Sequence, residues 1–146
     1  MEINGLTLPA SFVRAIEQGD LSERTKHWRL QNLREELDAY GNPLETELGA
    51  VYEDIASLQK ETASLSKDFP LHPDDWDEMN RDQPGFIPYI KDFSKVVCFG
   101  MDGGGAPFCF DFRENQEEPS VIWWADAYWR RIAPNFQAFI GLFPAP

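Results

Sequence analysis

The most informative part of this chain for its fold is residues 94–126, which read Ser94-Lys-Val-Val-Cys-Phe-Gly-Met-Asp-Gly-Gly-Gly-Ala-Pro-Phe-Cys-Phe-Asp-Phe-Arg-Glu-Asn-Gln-Glu-Glu-Pro-Ser-Val-Ile-Trp-Trp-Ala-Asp126. In its middle, every second residue is phenylalanine, at Phe108, Phe110 and Phe112. This period of two places one row of side chains on each face of a sheet. The flanking runs, Ser94–Phe99 and Val121–Ala125, are apolar and rich in β-branched and aromatic residues, as in strands covered on both sides. We therefore predict a three-stranded antiparallel meander. Its first and third strands are expected to lie in the interior of a larger sheet.

Two connections join these strands. Residues 101–106 contain three consecutive glycines, and residues 114–119 are polar and end in proline. A phosphate-binding loop would need a helix and a lysine after its glycines, whereas here a strand follows. We predict a turn at this position, with Asp102 as its capping residue rather than a ligand.

Amphipathic helices are predicted near both ends of the chain. The first begins at Pro9 and stops at Gly19, and the last has Pro134 in its first turn and stops at Pro144. The apolar residues at helical spacing are Phe12, Ala15 and Ile16 in the first helix, and Phe136, Phe139, Ile140 and Phe143 in the last. Each helix thus offers one face to a core.

The middle of the chain is harder to interpret. We predict a helix from about Gln31 to Tyr40, entered by a short extended segment from Trp28 to Leu30. Residues 44–67 fit one long helix, or a strand over Leu48–Tyr52 followed by a helix that Asp54 caps and that carries Ile55, Leu58 and Leu65. The second interpretation is preferred.

Two further segments precede the meander. Phe69–Gly85, with three prolines and five acidic residues, is predicted to be a long surface connection. Phe86–Ile90 is predicted to be a short strand at a sheet edge or strand start, because Pro88 cannot donate a ladder hydrogen bond.

Size and charge restrict the class of protein. At 146 residues, with 14% aromatics, the chain is expected to form one domain, residues 1–146, without a disulfide or metal. Acidic residues outnumber basic ones 25 to 13, and residues 74–126 alone carry a net charge of −8. This balance repels nucleic acid and anionic membranes, so neither is an expected ligand. The acidity serves either solubility alone or a surface for a basic partner.

Nothing in the sequence indicates catalysis. The two histidines, His27 and His72, belong to no nucleophile motif, and no His-Glu-x-x-His or Cys-x-x-Cys spacing is present. We therefore expect no enzyme activity, metal or cofactor; a buried carboxylate near either histidine would favour a hydrolase instead. Met1–Pro9 lacks a basic and apolar signal pattern, which predicts a cytoplasmic protein.

Two residue pairs remain. Cys98 and Cys109 fall on neighbouring predicted strands; buried free thiols are expected in a reducing cytosol, with a disulfide as the alternative. Trp123 and Trp124 must face opposite sides of their strand. Burial of both is favoured, but an exposed tryptophan ringed by acidic residues would make a binding hot spot.

Three motifs, taken in order, resemble the SUKH superfamily, which is named in part for a yeast cell-wall synthesis regulator and is widespread in bacteria. They are Leu8-Pro9-Ala-Ser-Phe12, Phe99-Gly100…Gly105-Ala-Pro-Phe108-Cys-Phe-Asp111 and Ile132-Ala133-Pro134-Asn135-Phe136-Gln-Ala-Phe139-Ile140. One departure is Glu17-Gln18-Gly19-Asp20, where the family usually has asparagine-glycine. The resemblance implies an α+β fold with a bent, mainly antiparallel sheet packed by the N- and C-terminal helices.

The resemblance also implies a role as an immunity protein that binds and neutralises a cognate bacterial toxin, in many cases a nuclease with a basic site. Charge and loop position then predict the partner-binding residues: Asp74, Asp75, Asp77, Glu78, Asp82, Glu114, Glu117, Glu118, Trp124 and Asp126. The alternative is a non-enzymatic regulatory or scaffold domain that binds a cellular protein. An exposed sheet edge would also allow a homodimer.

Overall fold

A five-stranded antiparallel sheet lies at the centre of the computed structural model, which describes residues 1–28, 36–44, 46–69, 81–88, 90–125 and 128–144. In chain order the elements are β1 (Glu2–Ile3), β2 (Leu6–Thr7), α1 (Ala10–Gln18), α2 (Asp20–Trp28), β3 (Glu36–Leu37), β4 (Pro43–Leu44), β5 (Leu48–Val51), α3 (Ile55–Ala63), α4 (Leu65–Asp68), β6 (Val96–Asp102), β7 (Pro107–Asp111), β8 (Ser120–Ala125), β9 (Tyr128–Ala133) and α5 (Phe136–Gly141). The fold is of the α+β class.

The predicted meander is confirmed as the middle of this sheet. The strand order is β5-β6-β7-β8-β9, and each strand pairs antiparallel with the next, so β6, β7 and β8 are interior strands. Register shifts interrupt the ladders between β5 and β6, β6 and β7, and β8 and β9. Such bulges bend a strand and increase its twist. β6 is longer than predicted and reaches Asp102, so the turn is confined to residues 103–106.

One face of the sheet carries the main core. The three alternating phenylalanines of the β7 region all belong to it and are fully buried, as predicted. Phe110 stacks on Phe99 of β6 with ring centroids 4.2 Å apart. Phe12 of α1 contacts Phe99, Phe110 and Phe136 edge to face, at 5.3 to 5.7 Å. The helices from the two ends of the chain therefore meet over the centre of the sheet.

The opposite face carries a smaller core. Its buried residues are Leu65, Ile87, Ile90, Val96, Cys98, Cys109, Ile122 and Trp129. Cys98 and Cys109 are both free and buried, as expected.

Both terminal helices are confirmed, although both boundaries of the last one differ from the prediction. α5 ends at Gly141, so Phe143 lies beyond it rather than on its apolar face. Gly19 ends α1 in the left-handed conformation, at φ 71°, and donates its backbone N–H to the carbonyls of Ala15 and Ile16. The α5 helix begins after Asn135, whose side-chain oxygen accepts the N–H of Ala138 at 2.8 Å. Pro134 thus precedes the cap rather than lying in the first turn, because the asparagine side chain supplies the better terminus.

Residues 48–63 follow the preferred interpretation. β5 covers Leu48–Val51, and Asp54 caps α3 by accepting the N–H of Ser57 at 2.8 Å. The Ser57 N–H and hydroxyl hold the pKa of Asp54 below its usual range. Leu65 lies in the separate short helix α4, since Ser64 ends α3.

The prediction for residues 28–40 is wrong where the structure describes them. Trp28 is the last residue of α2, a helix that the sequence analysis did not predict. Leu21 is its one buried residue, so α2 has little of the apolar periodicity that reveals a helix. Residues 36 and 37 form β3 instead of a helix, and the Asp38 carboxylate then accepts the N–H groups of Tyr40 and Asn42 in a turn. Residues 29–35 lie outside the described residues.

The edge of the sheet also differs from expectation. The predicted strand at Phe86–Ile90 is reduced to a single bridge between Phe86 and Arg130. Residues 128–133, to which no element was assigned, form the edge strand β9. Gly85 accepts the N–H of Arg131, and Ala39 donates to the carbonyl of Ile132. The chain's own loops therefore occupy these positions on the outer edge of β9.

Candidate functional site

The β7–β8 connection presents the acidic residues of the candidate site, and we call Glu114–Glu118 the acidic loop. All five of its residues are exposed. The side-chain oxygen of Asn115 accepts the backbone N–H groups of Glu117 and Glu118, both at 3.0 Å. An asparagine that bonds backbone two or three residues ahead closes a local turn. These two hydrogen bonds stabilise a turn within the loop.

Side chains from β9 and α5 support the ends of the loop. The Glu114 carboxylate lies 3.3 Å from the Arg131 guanidinium. The Glu118 carboxylate accepts the side-chain N–H of Asn135 at 3.0 Å. Asn135 also caps α5, so the loop is connected to a helix terminus by one bridging side chain.

Glu117 differs from these two residues. Among the residues that the structure describes, its carboxylate has no hydrogen bond or ion pair. It lies beside two grooves of about 260 and 430 Å³, both bordered by the start of α1 at Pro9 and Ala10. Its charge is therefore available to a partner.

Asp111, the last residue of β7, forms an ion pair with Arg113 just before the acidic loop. Both oxygens of the buried Asp111 carboxylate accept from the Arg113 guanidinium at 2.9 Å. These hydrogen bonds raise the pKa of Arg113. The charges of this pair therefore cancel, so Asp111 adds little to the negative charge of the acidic loop.

A third groove, of about 240 Å³, lies on the other side of Glu118. Its polar lining includes Tyr40, Glu114, Glu118 and Arg131. Burial raises the pKa of Tyr40, while Arg131 opposes that shift. The Tyr40 hydroxyl is therefore neutral at physiological pH, and the groove combines carboxylates with a single arginine and a phenol.

Trp124 lies at the far end of β8 from the acidic loop. It is half-buried and packs against Phe69 and Trp129, with centroids 5.5 and 5.4 Å apart. Trp123, on the other face, is buried in the main core. Trp124 is six positions after Glu118 in the sequence, which in extended chain is a span of about 20 Å. Glu117 and Glu118 therefore do not ring this tryptophan, because a strand keeps its two ends apart.

The remaining predicted residues fall in other places. Asp82 is exposed, in the segment whose Gly85 bonds the edge of β9. Five predicted residues lie outside the described residues: Asp74, Asp75, Asp77, Glu78 and Asp126. The structure thus brings together Glu114, Glu117 and Glu118 and leaves Trp124 apart from them.

Sequence reasoning missed the residues that hold the acidic loop in place. Asn115 and Asn135 are uncharged and Arg131 is positive, so a search for clusters of negative charge does not select them. Two signals were nevertheless present: an asparagine two residues before Glu117, and an asparagine directly after Pro134 at a helix start.

Asp102 and the two histidines are the residues that the sequence analysis considered for ligand binding or catalysis. Asp102 accepts the N–H groups of Gly104 and Ala106, at 2.9 and 2.8 Å, which confirms its turn-capping role. His27 is exposed and packs edge to face on Trp28, and His72 lies outside the described residues. Within the described ranges, no three His, Cys, Asp or Glu residues are grouped as a metal site would need. Over the same ranges, no helix has the length and apolar character needed to cross a bilayer.

Comparisons with known proteins identify the family. Searches of curated proteins and of solved structures found no significant match. The family described as SMI1 / KNR4 family (SUKH-1) matches residues 2–141, which is nearly the whole chain and includes all three motifs noted in the sequence. This chain therefore belongs to the SMI1 / KNR4 family (SUKH-1), within the SUKH superfamily.

Proposed function

We propose that this protein is an immunity protein that binds a cognate bacterial toxin and neutralises it through the acidic loop. Membership of the SUKH-1 family is consistent with an immunity-type or related role. The observation that carries the proposal is the exposed Glu117 carboxylate, which has no partner among the described residues and lies on a loop whose turn is stabilised by Asn115.

A fixed loop favours tight binding. Ordering a loop on association costs free energy, and a loop already held by Asn115, Arg131 and Asn135 avoids much of that cost. The three grooves beside the loop would receive side chains that flank a lysine or arginine of the partner. The loop therefore combines a charge contact with shaped surroundings.

The overall charge would accelerate the encounter. The net charge of −12 steers a basic protein toward this chain, and the local excess in residues 74–126 orients it. A nuclease whose nucleic-acid site is basic fits this surface. On this proposal the chain acts by covering that site, needs no cofactor, and catalyses no reaction.

Charge reversal of Glu117 tests the proposal. The partner to be used is the protein encoded next to this gene. Glu117→Lys should slow its association by about three- to tenfold and weaken the salt dependence of the association rate, because steering depends on such charges. Stopped-flow or surface-binding kinetics at several salt concentrations measure both effects.

Glu17→Lys is the matched control. Glu17 is exposed in the last turn of α1 and lines neither of the two grooves beside Glu117, and this substitution changes the net charge equally. The control should retain nearly the wild-type association rate. Equal rates for Glu117→Lys and Glu17→Lys would remove the acidic loop from the interface.

The second group of predicted residues needs its own variant. Reversal of Asp74, Asp75, Asp77 and Glu78 to lysine should also slow association if these carboxylates face the toxin. A normal rate in this variant, with a slow rate in Glu117→Lys, would confine the interface to the acidic loop.

Protection of cells distinguishes the two functions. Co-expression with the neighbouring gene product should restore growth if that product is a toxin. A neighbouring product that is harmless and does not bind would favour the alternative, a regulatory or scaffold domain for a cellular protein.

A further inference from the structure

Cys98 and Cys109 lie directly opposite each other on the two central strands. They are register partners in the β6–β7 ladder, and their side chains are 2% and 0% exposed. Both belong to the smaller core, on the face of the sheet opposite the phenylalanines. Because register partners project from the same face of a sheet, the two thiols lie side by side on that face.

The pair occupies a non-hydrogen-bonded position of the ladder. Phe112 donates its N–H to the Lys95 carbonyl at 2.9 Å, which makes that pair hydrogen-bonded. Hydrogen-bonded and non-hydrogen-bonded residue pairs alternate along an antiparallel ladder. Cys98 and Cys109 are three pairs further along than Lys95 and Phe112, so they form a non-hydrogen-bonded pair. The backbone N–H of Cys98 accordingly points away from β7 and is accepted by the Thr62 hydroxyl at 3.0 Å.

This position suits a disulfide. In non-hydrogen-bonded pairs the Cα atoms are about 4.5 Å apart, which is within the range of about 4.4 to 6.8 Å that disulfides span. The Cys98 thiol also lies within hydrogen-bonding reach of Cys109, in addition to its contact with the Gly100 carbonyl at 3.5 Å. A bond between the two sulfurs requires side-chain rotation rather than separation of the strands.

Burial makes the reduced pair slow to react. It raises the pKa of the Cys109 thiol, and Cys98 and Asp111 raise it further, so little thiolate is present in the closed state. Oxidation must therefore pass through local opening. The ladder is already irregular next to the pair, since a register shift lies between Cys98 and Gly100.

We propose that Cys98 and Cys109 form an intramolecular, reversible disulfide when a disulfide oxidant such as glutathione disulfide reaches the opened hairpin. One cysteine thiolate attacks the oxidant, and a first glutathione thiolate leaves. The second cysteine thiolate then attacks the protein sulfur of this mixed disulfide, and a second glutathione thiolate leaves. The two protons lost by the cysteines end on the two glutathione thiols. Two protein thiols are thus oxidised while one glutathione disulfide is reduced.

The inference is independent of the proposed function. The closed bond would join strands that are already paired, so the fold and the acidic loop stay in place. Its effect is on stability, because a cross-link restricts the unfolded chain. A shift in melting temperature of roughly 5 to 10 °C follows from typical disulfide stabilisation in a chain of this size.

Redox titration of the full-length protein tests the proposal. The protein is equilibrated with glutathione mixtures of increasing oxidised fraction, in urea just below the unfolding transition, and free thiols are then trapped by alkylation. Mass spectrometry should show loss of two hydrogen atoms with no glutathione adduct. Chymotryptic peptides should carry a Cys98–Cys109 link, and a reducing agent should restore both thiols and the lower melting temperature.

Cys98→Ala and Cys109→Ala serve as controls, since each leaves one thiol that cannot form the intramolecular bond and ends as a glutathione adduct or a disulfide-linked dimer. The proposal is overturned if the wild-type protein accumulates that adduct or disulfide-linked dimers. Two unreacted thiols across the whole titration would overturn it equally, because the urea ensures that the hairpin opens.

Discussion

Asp102 connects the β6–β7 turn to the core through a single side chain. One carboxylate oxygen accepts the backbone N–H groups of Gly104 and Ala106. The other accepts the Thr46 hydroxyl at 2.9 Å and the Trp123 indole N–H at 3.1 Å. The residue is 6% exposed, so these four donors replace water around the charge. A buried carboxylate is tolerable only with such compensation.

Removal of this carboxylate should be costly. We expect Asp102→Ala to lower the free energy of unfolding by about 3 kcal/mol, because buried donors are left unpaired. Asp102→Asn should lose about 1 to 2 kcal/mol, since its amide N–H₂ would face an indole N–H that can only donate. Urea unfolding measures both.

Asp92→Ala is the control for the Asp102 variants. The Asp92 carboxylate accepts hydrogen bonds from the N–H and hydroxyl of Ser94 in a similar local turn, but at an exposed site. Its substitution should change the unfolding midpoint far less. An equal change in the two alanine variants would show that the burial of Asp102 contributes nothing.

Helix α3 protects part of a strand edge. β5 pairs with β6 only from Gly100 to Asp102, and Tyr52 then donates to the carbonyl of Phe99. Among the strands that the structure describes, none pairs with the earlier half of β6 on that side. The Thr62 hydroxyl of α3 accepts the N–H of Cys98 there, so a helix side chain replaces the missing strand. Unpaired edges invite association with other chains, and this helix reduces that hazard.

Thr62→Val tests the role of this helix. Valine has nearly the same shape but accepts no hydrogen bond, so the buried Cys98 N–H would lose its partner. We expect the free energy of unfolding to fall by about 1 to 2 kcal/mol. Faster amide exchange at Cys98 should accompany the loss.

Thr62→Ser keeps the hydroxyl and should retain most of the stability. If serine and valine cost the same, the loss comes from altered packing around residue 62 rather than from the hydrogen bond.

At the scale of the whole molecule, an aromatic core is combined with a large excess of acidic residues in the sequence. The net charge is −12, with a sequence pI of about 4.4. Repulsion among like charges opposes the compact state, and salt screens that repulsion. The charge that would speed association with a basic partner therefore reduces the protein's own stability.

Salt should accordingly stabilise this protein in the absence of a partner. Between about 10 and 150 mM sodium chloride, over which the screening length falls from about 30 to 8 Å, we expect the melting temperature to rise by a few degrees. Calorimetry measures the shift. A fall in melting temperature would show that favourable ion pairs, such as Arg24 with Asp20, outweigh the repulsion.

The parts of the structure that depend on local side-chain pattern could be predicted from the amino-acid sequence. Alternation of three phenylalanines specified the buried face of β7, and an aspartate before Ile55 specified the start of α3. Both follow from side-chain spacing and capping within a few residues. The family could be recognised because its three motifs are also local patterns, which lie in order at the start of α1, on the β6–β7 hairpin and at the start of α5.

The tertiary structure alone decided the parts that depend on distant partners. The polar helix α2 is stabilised at its Arg24 side chain by carbonyls of the C-terminal segment, and β9 pairs with β8 despite its two arginines. Trp124 was separated from the acidic loop by the length of one strand, while Arg131 and Asn135 were brought beside it from later in the chain. These contacts join residues whose spacing along the chain carries no signal, so only packing in three dimensions could select them.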